Sequence, residues 1–199
     1  MIPPVDPQSS AQLLAVHLVK PSLASLPGYV DALERGWSPD NIRGKAAADE
    51  HLDKIRCNAS GFVEGLYDPE GRGAAIKIPD GSIVPRIPGY VRWVWDGEFC
   101  GSIGIRWQPG TAELPPHVLG HIGYAIVPWK ENRGLATKAL SLLLVEARPL
   151  GLPYVDLTTT PDNLASQRVI VANGGQLMER FEKPAAYGGG ATLRYRITL

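Results

Sequence analysis

The chain is poor in cysteine, has no excess of charge of either sign, and contains no long apolar run. Its two cysteines, Cys57 and Cys100, stand far apart in 199 residues. They make neither a CxxC pair nor a disulfide framework. They read as ordinary thiols of a reducing compartment, so a cytoplasmic location is expected. Lysine plus arginine number 20 and aspartate plus glutamate number 20. That balance argues against broad nucleic-acid binding, which runs on surplus basic charge. It also gives no steer between cationic and anionic substrates. No run of about 18 apolar residues is present, so no membrane span is expected. The opening MIPPVDPQSS lacks a basic region followed by an apolar stretch, so no signal peptide is expected either.

Apolar residues make up 44% of the chain, enough to expect a packed globule rather than disorder. The length suits one domain. Residues 1–10, with three prolines, read as a loose tail, and residues 11–199 as a single domain. Gln12–Lys20 reads as a first strand, and Pro27–Gly36 and Ala46–Arg56 as helices. Asp80-Gly81 and Asp96-Gly97 each lie between apolar runs and predict two hairpins. The second joins Tyr90–Trp95 to Glu98–Trp107. His121–Val127 reads as a strand stopped by Pro128. Gly134–Arg148 carries a helical apolar stripe, Tyr154–Thr159 a strand, and Asn163–Asn173 a helix closed by Gly174-Gly175. Gln176–Glu182 and Leu193–Leu199 are closing strands. Strands that first meander and then alternate with helices give one α/β (α+β) domain.

The chemistry concentrates in HIGYAIVPWKENRGLATKALSLLLVEA, residues 121–147. A strand ends at Pro128, and a tight loop feeds directly into a helix. Gly134 permits positive φ or close approach of a ligand, and Ala136 is small. The first N–H groups of a helix lack internal partners and sit at the positive end of its dipole. The junction therefore suits a pyrophosphate, although a plain strand–loop–helix turn would carry the same features. A P-loop is excluded by the absence of GxxxxGK[ST], and the dinucleotide fingerprint by the absence of GxGxxG.

IGYAIVPWKENRGLATKAL resembles the acetyl-CoA motif of the GCN5-related N-acetyltransferases (GNAT), a strand ending near proline, then Arg/Gln-x-x-Gly-x-Gly/Ala, then an amphipathic helix. VDLTTTPDNLASQRVIVANGGQL resembles that family's second motif, and the two together span residues 120–177. The resemblance implies a GNAT fold, with a central mixed, mostly antiparallel sheet flanked by helices. It implies an acyltransferase that moves the acetyl group of acetyl-CoA directly to an amine, with no metal. Tyr124, Ala125 and Ile126 would lie along the pantetheine arm. The loop N–H groups of Asn132, Arg133, Gly134, Leu135, Ala136 and Thr137 would wrap the pyrophosphate. Asn163 would reach the pantetheine amide, with Ser166 one turn further on the same face. Family members often dimerise, so a homodimer is open; neither nucleic acid nor membrane is an expected partner.

Two positions depart from the family pattern. Glu131 stands where Arg or Gln is usual, with Lys130, Arg133 and Lys138 expected to restore positive charge nearby. Ile170 stands where many relatives carry a tyrosine that protonates the leaving thiolate, and Tyr187 and Tyr195 are substitutes between which spacing does not choose. An acyl-CoA-binding sensor with little transferase activity is the alternative reading that Ile170 motivates. The strand positions at which relatives carry a base are Ile122 and Gly120 here. His121 lies beside them but should point to the opposite face. His117 and Glu113 sit in a polar loop, and Asp156 on the next strand reads as structural. No catalytic residue is therefore assigned. Trp93, Trp95 and Trp107 read as sheet core or as walls of an acceptor pocket. Cys100 reads as a packed thiol without a basic neighbour.

Overall fold

The computed structural model describes residues 16–78 and 80–199. The expected N-terminal tail lies outside the described residues, and of the expected first strand only β1 (His17–Val19) is seen. Two helices follow, α1 (Leu26–Glu34) and α2 (Lys45–Glu64). Then come the short strands β2 (Tyr67–Asp68), β3 (Ile76–Lys77) and β4 (Ile83–Val84), and the long hairpin β5 (Gly89–Trp95) and β6 (Phe99–Arg106). The last part alternates: β7 (Ile122–Ile126), α3 (Leu135–Ala147), β8 (Tyr154–Thr159), α4 (Leu164–Ala172), β9 (Gln176–Glu182) and β10 (Ala191–Thr198).

Both aspartate–glycine turns close the hairpins the sequence predicts, pairing β3 with β4 and β5 with β6. α2 runs to Glu64, beyond the expected end at Arg56. It breaks at Asn58 (φ −158°, ψ 87°), whose Oδ1 accepts the Gly61 N–H at 2.9 Å. Such a side-chain cap restarts a helix, and Ala59, Phe62 and Val63 pack the restarted segment onto the same core as Leu52.

Besides the β3–β4 hairpin, the strands form two antiparallel sheets, one ordered β1-β5-β6-β7 with β2 also on β5, the other β8-β10-β9. The class is the expected α/β one, with the sheet divided where β7 meets β8. One core lies between α3 and the first sheet, where Leu140, Leu143 and Ala147 have no exposure. A second lies between α1, α2 and the opposite face, built on Tyr29, Leu33, Trp93 and Val127. Each fully buried leucine contributes roughly 1.5–3 kcal/mol, so both faces of β5–β7 are held rigidly. Gly101 makes the β6–β7 approach possible: a Cβ there would sit 2.2 Å from the Ala125 carbonyl oxygen. No helix among the described residues is long and apolar enough to cross a membrane.

Candidate active site

Among the described residues, β7 is paired along one edge only. Arg106 N–H donates to the His121 carbonyl and Val127 N–H to the Cys100 carbonyl, both at 2.9 Å. Antiparallel ladders alternate, so Gly123 and Ala125 turn their backbone groups toward β6. The N–H and C=O groups of Ile122, Tyr124 and Ile126 then face the other edge. There β8 is joined only at its start, by His121 N–H on the Asp156 carbonyl (2.7 Å) and Asp156 N–H on His121 Nδ1 (2.9 Å). Beyond that link the strands separate.

After Val127 the chain makes a single 3₁₀ turn, Pro128–Lys130, and enters the loop before α3. Lys130 is almost fully buried. Its Nζ contacts Asp96 Oδ1 (2.6 Å), Glu98 Oε1 (2.7 Å) and Cys100 Sγ (3.4 Å). This corrects two expectations. Lys130 adds no charge to the loop and instead pins the turn to the β5–β6 hairpin, and Cys100 does have a basic neighbour. Burial and Asp96 nonetheless push the Cys100 thiol up to about 12, so it is inert at neutral pH. Arg35 stacks on Trp129 at 3.5 Å and holds the same turn from α1.

The loop itself is exposed from Glu131 to Gly134. Asn132 (φ 60°) is the one non-glycine residue with positive φ among those described, and Gly134 (φ 72°) caps α3 in the left-handed region. Asparagine and glycine tolerate that conformation best. Left-handed residues between right-handed ones turn successive N–H groups to one side, a concavity that binds anions. Among the described residues, the N–H groups of Asn132, Arg133, Gly134, Leu135, Ala136 and Thr137 have no hydrogen-bond partner; Lys138 is the first to bond back, to Gly134. Arg133 and Lys138 are exposed beside them, as is Glu131.

α4 begins on the far side. Asn163 Oδ1 accepts the Ser166 N–H at 3.0 Å, a helix cap that leaves its side-chain amide hydrogens free to donate. The Tyr124 hydroxyl crosses from β7 to Ser166, 2.9 Å from its Oγ. At the other end of α4, Asn173 donates to the Thr137 carbonyl (3.2 Å) and ties that helix to the start of α3. A cleft of about 630 Å³ opens between these parts, lined on this side by Tyr124, Thr158, Thr160, Asn163, Ser166 and Ile170.

The sequence profile of the acetyltransferase (GNAT) domain family matches residues 61–176, more than half of the chain. The chain belongs to the GNAT family. Its fold is shared with solved acetyltransferases of low sequence identity. The microcin C7 self-immunity acetyltransferase MccE, in complex with acetyl-CoA and AMP, is 11% identical with a TM-score of 0.58 over 92% of both chains. RimL, a ribosomal L7/L12 α-N-protein acetyltransferase in complex with coenzyme A, is 13% identical with a TM-score of 0.58, covering 92% of this chain and 94% of its own. An acetyltransferase from Agrobacterium tumefaciens is 18% identical with a TM-score of 0.50, covering 92% of this chain and 91% of its own. No curated protein sequence matches.

In this GNAT domain the cleft continues through the splayed strands to the α1–α2 side, where Tyr29, Asp40, His51, Trp93, Arg106 and Gly123 line it. The sequence reading missed His51, Tyr29, Asp40 and Arg106. Trp93 is both core and cleft floor, stacked on Tyr29 at 4.9 Å, whereas Trp107 packs on the opposite face against Tyr90. Tyr29 Oη lies 2.7 Å from His51 Nδ1. Burial raises Tyr29 and lowers His51 from their ordinary values, so both are neutral at pH 7. Tyr29 therefore keeps its proton; in the tautomer in which it donates to Nδ1, the imidazole proton sits on Nε2.

The histidines of the earlier reading lie elsewhere. His121 is buried away from the cleft, its ring fixed by the Asp156 N–H and its charged form disfavoured by burial. His117 lines a separate groove near Pro85 and Val118. Asp156 is held by a bidentate pair with Arg196, at 2.8 and 2.9 Å. Tyr195 donates to Gln167 rather than reaching the cleft wall.

Proposed function

We propose that this protein is an acetyl-CoA-dependent N-acetyltransferase, with residues 11–199 as its one domain. The observation that carries the reading is the run of six unpartnered N–H groups, Asn132 to Thr137, bent by two left-handed residues at the positive end of a 13-residue helix. Acetyl-CoA fits this arrangement, its pyrophosphate on those N–H groups and its pantetheine arm along the open edge of β7. Tyr124 and Ile126 offer backbone groups to that edge, while Ala125 supplies a small side chain. Asn163 has amide hydrogens to spare for the arm. Acetyl-CoA, when bound, supplies the acetyl group; an open-edge N–H is suited to polarise its carbonyl. Arg133 and Lys138 offset Glu131 without help from Lys130.

The place of the usual tyrosine is Ile170, but one turn before it on the same helix face Ser166 holds the Tyr124 hydroxyl. Burial raises Tyr124 from its ordinary value, so it is protonated at neutral pH and able to return a proton to a thiolate. This favours the transferase over the sensor. Incubation with acetyl-CoA and a varied amine set, with free thiol followed over time, tests the choice: thiol release dependent on amine is expected, and binding without turnover of any amine would select the sensor. The cytoplasmic location stays part of the proposal, with Cys57 and Cys100 both free. A homodimer has the open edge of β9 in its favour, where Leu177 and Met178 are exposed.

A further inference from the structure

The α1–α2 side of the cleft carries a cation that the fold does not use. The half-buried arginines Arg92 and Arg196 are paired, with Glu146 and Asp156 respectively. The side chain of Arg106, at the end of β6, has no hydrogen bond or salt bridge to any described residue, and the residue is exposed in the cleft. The nearest acid to influence it is Asp40. The Oδ1 atom of Asp40 is already taken by the N–H groups of Ile42 and Arg43, at 2.8 and 2.9 Å. Lys183 and the neutral His51 also face the cleft, so the charged side chains here sum to a net positive site.

The floor beneath Arg106 is bare. Gly104 and Gly123 are cross-strand partners on β6 and β7. The guanidinium reaches over Gly123, where a Cβ would lie 3.4 Å from an Arg106 terminal nitrogen, while the space over Gly104 is bounded by the Tyr90 carbonyl and Val91. The missing side chain at Gly123 thus lets the planar donor fork lie against the sheet within the cleft, one residue from Tyr124. His51 lines the same side of the cleft, and its Nε2–H tautomer offers a further donor there.

Resting on the acetyl-transfer reading, we propose that the acceptor amine bears a carboxylate, which Arg106 binds in the cleft beside Gly123 with His51 as auxiliary donor. The guanidinium fork matches a carboxylate in two parallel hydrogen bonds. An amino acid would bring the carboxylate as its own terminus, and a peptide would bring it on an acidic side chain near its free amine.

The test pairs free amino acids with their methyl esters, and short peptides beginning with Asp or Glu with their Asn or Gln counterparts, as acceptors in the thiol-release assay. Carboxylate members are expected to exceed their neutral counterparts at least tenfold in kcat/KM. The responding pair tells amino acid from peptide. Arg106→Gln is expected to raise KM for those acceptors about 10- to 100-fold and to erase the preference, leaving KM for acetyl-CoA unchanged. Arg106→Lys should keep part of it. Equal or better use of the neutral members, an unaltered preference in Arg106→Gln, or turnover confined to amines without a carboxylate would overturn the proposal. So would a panel without turnover in protein that binds CoA. Failure to bind CoA at all would instead remove the cofactor reading on which it rests. Thermal unfolding and CoA binding of both variants confirm that they are folded.

Discussion

Replacing Gly134 by valine acts on the cradle at its most constrained position. Gly134 has φ 72°, and a non-glycine residue in the left-handed region costs about 1–2 kcal/mol, with a β-branched side chain at the upper end. For a chain of this size about 2 kcal/mol lowers the melting temperature by about 4–8 °C. That leaves a folded protein, since α3 is held by Leu140 and Leu143 in the core rather than by its cap. Binding suffers more. If the turn relaxes toward negative φ, at least two of the six N–H groups leave the concavity. Hydrogen bonds to a charged partner contribute about 1.5–3 kcal/mol each, so the loss is about 3–6 kcal/mol, or about 10²- to 10⁴-fold in Kd. Titration calorimetry with CoA, beside thermal unfolding, measures both quantities. Gly134→Asn separates the causes, because asparagine tolerates the left-handed conformation while still adding a side chain. Tight CoA binding by Gly134→Val, with its melting temperature lowered as calculated, would refute the cradle's placement.

Tyr124→Phe is expected to lower kcat about 10²-fold in the thiol-release assay with little change in KM for acetyl-CoA, the range for loss of a proton donor; an unchanged kcat would return that role to water. His121→Leu strands the buried Asp156 N–H and is expected to cost about 1–3 kcal/mol by denaturant unfolding while leaving kcat unchanged. Because burial depresses His121 in the folded state, its neutral form contributes stability that is present above about pH 6.5 and fades as pH falls toward the folded value; the variant should lose that share of the pH dependence. Lys130→Met breaks a pair whose lysine is buried but whose acids are partly exposed, and is expected to cost about 2–3 kcal/mol, below the range for fully buried pairs. Burial raises Asp96, and the hydrogen bonds from Lys130 and Cys100 together with the Lys130 charge outweigh it, so its folded value is depressed. Its contribution is complete above about pH 4 and is lost as pH drops further, so the gap between wild type and Lys130→Met should narrow in acid.

The parts of the fold that were legible in the sequence are those set by local chemistry. Asp80-Gly81 and Asp96-Gly97 mark their hairpins because few other residues adopt such turns. Gly134 and Asn163 mark helix starts because a left-handed residue and a side-chain cap are local devices. The restart of α2 at Asn58 was hidden, since a lone asparagine before a glycine reads more easily as a loop. The candidate cofactor side was legible for the same reason as the helix starts: its groups are backbone atoms, whose direction follows from the turn. The α1–α2 side was not, because it is assembled by packing. His51 reads as one more polar residue on an exposed helix until Tyr29, 22 residues earlier, is brought against it. Lys130 reads as a surface lysine beside the loop, and only the fold of β5 and β6 turns it inward onto Asp96. Arg106 ends a strand and has nothing nearby in sequence to distinguish it from a solvated arginine.

The central claim, that six backbone N–H groups before and within the first turn of α3 hold the pyrophosphate of acetyl-CoA, is tested most directly by the amide resonances of Asn132, Arg133, Gly134, Leu135, Ala136 and Thr137. Titration with acetyl-CoA should shift all six to saturation at one common Kd, whereas acetyl-pantetheine, which lacks the pyrophosphate, should shift Tyr124 and Ile126 but leave the six nearly unmoved. Saturable binding of acetyl-CoA that leaves these six amides in place, or that moves them equally with acetyl-pantetheine, would contradict the account.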